Sequence, residues 1–314
     1  MKIDKGRIIN DFIEPNKRQY AIPVYQRNYE WSKEQCVKLF EDIVQAYKKD
    51  RTHFCGSVVY APLKEEQNIH YYNIIDGQQR LTTIYLLLKA LIDLAENDAT
   101  RELIAETLFN RDKFDKFAID KASKLKLKPI KSDDNQLRLL MENKYDDIEK
   151  NSGIWRNYEL FCSLVQAQLD AGMYVKDIYK GVEKLICASI LLEQEDNAQE
   201  MFERINSTGV PLSLADKIRN FVLMTDADQE NLYENYWLKA EVLVHRNNMT
   251  AFFLDYLNTK VDGFAKEVDA YEVFKDVYRK GKYTNESMLK EILHYADFYH
   301  AFLYGDKKYG DKIN

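Results

Sequence analysis

The stretch Ile74-Ile75-Asp76-Gly77-Gln78-Gln79-Arg80, followed by LTTIYLLLKALIDLA, constrains this chain more than any other. Upstream, IHYYNII over residues 69–75 is aromatic and aliphatic, the composition of a strand. Downstream, the apolar run reads as a buried helix. Strand and helix are joined by a short polar turn whose glycine lets the backbone reverse sharply and approach a ligand closely. Free N–H groups of the first helical turn would then point above the strand end, a natural phosphate site. Arg80 can add a bidentate phosphate contact, and Gln78 and Gln79 can orient a water or a phosphate oxygen. Asp76 supplies a carboxylate for Mg²⁺ or for positioning water. A plain strand–helix turn with ordinary polar caps would use the same residues, and the turn by itself does not choose between the two.

The rest of the chain favours long helices. Among 314 residues, glycine (11) and proline (5) are scarce, while tyrosine (22) and phenylalanine (15) are abundant. Residues 20–31 read as extended, with Pro23 forcing Ile22 out of helical geometry. Ser32 then opens a helix as N-cap, with Gln35 as its capping-box partner and a face of Val37, Phe40, Ile43, Val44 and Tyr47. His53–Ala61 is a second strand candidate, and PLKEEQN reads as the loop between the two strands. Beyond residue 100 come charged amphipathic helices, an apolar run of strand length at Leu185–Leu192 whose period alone does not separate a strand from a buried helix, and a helix through Met201 and Phe202. Ser213 starts a further helix with Asp216 as its capping acid.

Several classes of protein are excluded. Charges interrupt every apolar stretch before about 18 positions, too soon for a membrane-spanning helix. The N-terminus lacks the apolar core of a secretory signal, and Cys36, Cys55, Cys162 and Cys187 are scattered without a C-x-x-C pair, as expected of reduced thiols in the cytoplasm. The five histidines have no metal-ligand spacing, and neither a Walker-type phosphate loop nor a Gly-x-Ser-x-Gly elbow is present. A net charge of −6 argues against nonspecific coating of nucleic acid, though a local basic groove is compatible with it.

Three further segments hold candidate binding residues. Tyr25-Gln26-Arg27 follows the extended segment, so Arg27 can meet a ligand or simply pair with Glu30 or Glu34. In Phe202-Glu203-Arg204-Ile205-Asn206-Ser207-Thr208-Gly209, Asn206 can cap a helix or contact a nucleotide. In KASKLKLKPIK, alternation would place Lys124, Lys126 and Lys128 on one face of a ribbon as a DNA contact, or as a solvated face.

Read together and in this order, IPVYQRNYEW, IIDGQQRLTT and FERINSTGVPLSLADKIRN resemble the DGQQR family, the N-terminal domains of GmrSD-type, type IV modification-dependent restriction endonucleases. The resemblance runs from about residue 8 to about 225. It implies an α+β chain: a small ParB/sulfiredoxin-like nucleotide-binding domain over residues 1–100, then a mainly helical domain over 101–314 whose segment 202–220 folds back on the nucleotide site. It further implies a nucleoside triphosphatase that uses Mg²⁺ and regulates DNA cleavage in phage defence. Asp76, Gln78, Gln79 and Arg80 would act in catalysis, with Asp76 as a Mg²⁺ ligand. Tyr25, Gln26, Arg27, Gly77, Thr82 and Asn206 would hold nucleotide. Asn28 stands where the family often has proline. Family nucleases carry a His-Me finger domain, and nothing from His245 to Asn314 has its clustered histidine and acids. Cleavage would therefore need that domain from a separate chain or from a further C-terminal part, acting on DNA that includes modified DNA. A nucleotide-gated DNA-binding module without turnover, or an inert helical interaction module, would fit the same motifs.

Overall fold

A computed structural model describes residues 1–13, 17–66, 68–110, 125–193, 195–205, 212–263 and 265–305. They form two compact units: Met1–Pro23 with Asn28–Ala198, and Val24–Arg27 with Gln199–Asn314. The α+β class follows from one mixed sheet in the first unit and helices throughout the second.

In the first unit, strands β1 (Lys2–Arg7), β2 (Arg18–Ala21), β3 (His53–Glu66), β4 (Ile69–Asp76), β5 (Leu127–Lys128) and β6 (Leu185–Leu191) lie in the order β1-β6-β3-β4-β2-β5. β3 pairs antiparallel with β4 and parallel with β6, so it runs through the middle of the sheet. Residues 62–66, expected as loop, continue the strand: pairing persists to Glu66 opposite Ile69. Pro62 is accommodated because the register is irregular between Pro62 and Lys64, where a missing N–H disturbs the ladder least.

Among the described residues, six α-helices complete this unit: α1 (Lys33–Lys48), α2 (Gln78–Asp93), α3 (Asp98–Leu108), α4 (Lys131–Met141), α5 (Gly153–Asp170) and α6 (Val175–Glu183). The Ser32–Gln35 capping box opens α1 as its sequence predicts. Every residue of α2 from Leu81 to Leu91 is buried, which explains its apolar composition all round. Lys89 tolerates this burial because its ammonium meets Asp93, Asn143 and the Tyr145 hydroxyl. The packing divides the chain at Ala198 and not near residue 100. The reason is long-range pairing: β6 lies between β1 and β3, and α5 packs on α2.

The second unit contains α7 (Ala198–Ile205), α8 (Leu214–Leu223), α9 (Gln229–Leu232), α10 (Leu238–Val244), α11 (Met249–Asn258), α12 (Ala270–Lys280) and α13 (Asn285–Tyr304). Its core is aromatic: Trp237 stacks on Phe253 at 5.7 Å between centroids, and Phe252, Tyr256 and Phe274 are buried with them. Tyr25 belongs to this cluster. Among the described residues, no helix is long and apolar enough to cross a membrane.

Candidate functional site

Buried Ile74 and Ile75 anchor the end of β4 and fix Asp76 at its edge. Gly77 follows at φ 95° and is the N-cap of α2. A Cβ there would lie 3.1 Å from the Ser57 carbonyl oxygen and 3.2 Å from a Val58 methyl carbon. Left-handed backbone and close approach to β3 together demand glycine.

The glycine has an electrostatic consequence. Carrying no side chain, it leaves α2 without a side-chain cap, and the first turn contains no acid. By contrast, α1, α3 and α8 begin at Ser32, Asn97 and Ser213, whose side chains accept a first-turn N–H, and each carries an acid in that turn. Where those helices place an acid, α2 places Arg80. A cation there opposes the positive end of the helix dipole. Among the described residues, Arg80 has no ion pair, and its Nη1 donates to the Ser57 carbonyl at 2.6 Å.

β3 shapes the seat for that guanidinium. The register of β3 against β6 shifts between Phe54 and Ser57, and Gly56 has φ 99°. A Cβ on Gly56 would fall 2.7 Å from Arg80 Nη2, so the guanidinium rests on bare backbone. Ser57 Oγ also donates to Asp76 Oδ2 at 3.1 Å. The sequence reading overlooked Gly56 and Ser57; the available signal was a glycine inside a strand candidate, which marks a bulge or a close approach. Burial pushes the Cys55 thiol up to about 11 and the Cys187 thiol up to about 12, with Arg80 opposing the shift in both. Neither thiol therefore ionises near neutral pH to compensate the guanidinium.

The remaining sequence candidates have different surroundings. Gln79 is buried, its Nε2 donating to Asn28 O at 2.9 Å and its Oε1 accepting from Glu30 N at 2.8 Å. It clamps the segment leading into α1. Gln78 is also buried, and its amide has no hydrogen bond among the described residues. Thr82 is buried in α2. Its neighbour Thr83 bonds the Tyr29 hydroxyl at 2.7 Å, and Asn157 donates to Tyr29 Oη and to Trp31 O. Tyr25, Gln26 and Arg27 belong to the second unit, where Tyr25 is fully enclosed and Arg219 Nε donates to its carbonyl at 3.0 Å. Arg219 is itself held by Asp216 at 2.9 Å and Glu241 at 3.3 Å, and Asp216 also completes the Ser213 capping box. Phe202 is buried, while Asn206 lies outside the described residues.

The lysine ribbon needs correction. Lys124 lies outside the described residues, and Lys128 is exposed. Lys126 is fully buried, its Nζ donating to the carbonyls of Glu106 and Thr107 at 3.2 Å each. It satisfies the carbonyl end of α3 and offers nothing to DNA.

The turn between β4 and α2 offers a divalent cation one carboxylate, that of Asp76. Among the described residues, no group of three or more His, Cys, Asp or Glu could hold a metal ion. Asp76 alone fits the way Mg²⁺ is usually bound, by one or two carboxylates with phosphate and water as the other ligands.

Comparison with curated proteins returns no match. Residues 9–223 match the family described as GmrSD restriction endonuclease, N-terminal domain, and because this stretch is more than half of the 314 residues, the chain belongs to that family.

Proposed function

We propose that the chain binds and hydrolyses a nucleoside triphosphate and thereby regulates DNA cleavage by a nuclease domain that this sequence does not carry. Membership of its family makes it a component of a restriction system. The observation that carries the finer reading is the start of α2: a helix N-terminus without a side-chain cap, a left-handed glycine and an arginine without an ion pair among the described residues, all at the end of one strand. Two positive features with no counterion among the described residues favour a bound polyanion, and phosphate matches both backbone N–H groups and a guanidinium. Arg80 would hold phosphate oxygens and stabilise charge as the terminal phosphoryl group leaves, and Gln78 would orient the attacking water. Asp76 would hold Mg²⁺, which when bound would neutralise phosphate charge. Gly77 and Thr82, in the same turn and helix, would contribute to nucleotide binding.

The test is phosphate release by the purified chain with ATP, GTP, CTP or UTP and Mg²⁺, beside Arg80→Ala. Loss of a charge-stabilising group typically lowers turnover by about 10²–10³-fold. That loss, with an unchanged melting temperature, is the expected result. Equal rates in the two proteins would remove Arg80 from the site. A nucleotide-dependent thermal shift without phosphate release would instead favour a nucleotide-gated DNA-binding module.

A further inference from the structure

Ser57 touches the turn after β4 through two different atoms. Its carbonyl oxygen accepts from Arg80 Nη1 at 2.6 Å, and its hydroxyl donates to Asp76 Oδ2 at 3.1 Å. The same carbonyl would lie 3.1 Å from a Cβ on Gly77, so β3 packs closely against the glycine between those two residues. This reach requires the irregularity in β3. The shift between Phe54 and Ser57, with Gly56 at φ 99°, breaks the regular alternation just before Ser57. The carbonyl contact survives any side-chain change at this position; the hydroxyl contact does not.

The hydroxyl acts on one carboxylate oxygen only. Asp76 Oδ1 has no hydrogen-bond partner among the described residues, and Asp76 has no ion pair among them. A carboxylate held by one oxygen loses its freedom to rotate and keeps the other available. A carboxylate offered to a hydrated cation gains from this restraint, because the first turn of α2 supplies no second acid to fix its orientation.

We infer that Ser57 is a positioning residue: its hydroxyl orients the Asp76 carboxylate for a Mg²⁺–nucleotide complex, while its carbonyl seats Arg80 independently of metal. This role rests on the triphosphate reading above. It predicts a separation no general loss of stability would produce. Removing the hydroxyl weakens the contribution of Mg²⁺ to nucleotide binding and leaves metal-free nucleotide binding intact.

The experiment is calorimetric titration of the full chain with ATP and GTP, in EDTA and over a series of Mg²⁺ concentrations, for wild type, Ser57→Ala, Ser57→Thr and Arg80→Ala. Melting temperatures are measured in parallel. Ser57→Ala should match wild type in EDTA, melt at nearly the same temperature, and need about tenfold more Mg²⁺ for the same gain in affinity, the scale of one lost hydrogen bond to a charged group. Ser57→Thr, which keeps the hydroxyl, should restore the wild-type Mg²⁺ dependence. Arg80→Ala should lose affinity in EDTA. An unchanged Mg²⁺ dependence in Ser57→Ala overturns the positioning role while leaving the nucleotide reading standing. A parallel loss of stability and of metal-free affinity in Ser57→Ala also overturns it, as a purely structural effect. Absence of nucleotide binding by wild type in every condition overturns the triphosphate reading and this role with it.

Discussion

At the scale of single residues, the two glycines beside Arg80 separate stability from binding. Both have positive φ, which costs a residue with a side chain about 1–2 kcal/mol. They differ in what a methyl group would meet. On Gly77 it would press on the Ser57 backbone at 3.1 Å, which cannot yield without moving β3. On Gly56 it would meet the end of the Arg80 side chain at 2.7 Å, which can swing away. Gly77→Ala should therefore cost roughly 2–4 kcal/mol in urea unfolding. Gly56→Ala should cost about half as much but weaken nucleotide binding about tenfold, as Arg80 leaves its seat. If both variants lose stability equally and bind alike, the guanidinium is not seated by Gly56. Gly77 was legible in the sequence because it separates two runs of opposite texture. Gly56 was not, since its role depends on a side chain 24 positions away that only the fold brings over it. The thiols give a second prediction at this scale. Burial pushes Cys36 and Cys55 up to about 11 and Cys187 up to about 12. An unfolded chain releases thiol protons from about pH 8.5, so the folded state then holds protons that the unfolded state has lost. This contribution to stability is complete below about pH 8.5 and declines as the pH rises toward those folded values. A melting temperature that stays level from pH 8 to 10.5 would contradict it.

Among the elements, those whose signals are local were read correctly. The Ser32–Gln35 and Ser213–Asp216 capping boxes open α1 and α8, while the aliphatic run at Leu185–Leu191, whose period left strand and helix open, is a strand. The LKLK alternation at residues 125–128 misled because its period matches a solvated ribbon equally well. In the fold, β5 is only two residues long, and Lys126 is drawn to unsatisfied carbonyls at the end of α3. Its backbone N–H also donates to Leu108 O at 3.0 Å, so one residue closes that helix end twice. Lys126→Glu would bury a carboxylate against carbonyl oxygens and the negative end of a helix dipole, with an expected loss of about 3–5 kcal/mol. Lys128→Glu, at an exposed position, should change stability by no more than about 0.5 kcal/mol. Denaturant midpoints of the two variants decide the matter. Equal midpoints would mean that Lys126 is solvated and that the ribbon reading deserves to return.

At the scale of the molecule, the division at Ala198 determines which fragments can exist. Sequence texture changes near residue 100, where strand-like runs give way to charged helices, but texture does not report pairing between distant segments. β6 begins more than a hundred residues after β3 ends, yet it sits between β1 and β3 and bonds to both. A chain ending at residue 100 would leave β1 without its partner and expose the surface of α2 that α5 covers. Such a fragment should show no cooperative urea transition. A chain ending at residue 198 keeps the whole sheet and α1–α6, and should unfold in one cooperative step. It would also release Val24–Arg27, since Arg219, which bonds the Tyr25 carbonyl, is absent from it. On the proposed function, residues 1–198, which keep the start of α2, should bind nucleotide and lose affinity on Arg80→Ala. Titration of this fragment and its Arg80→Ala variant tests that expectation, and a fragment indifferent to the substitution would show that the start of α2 is no phosphate site.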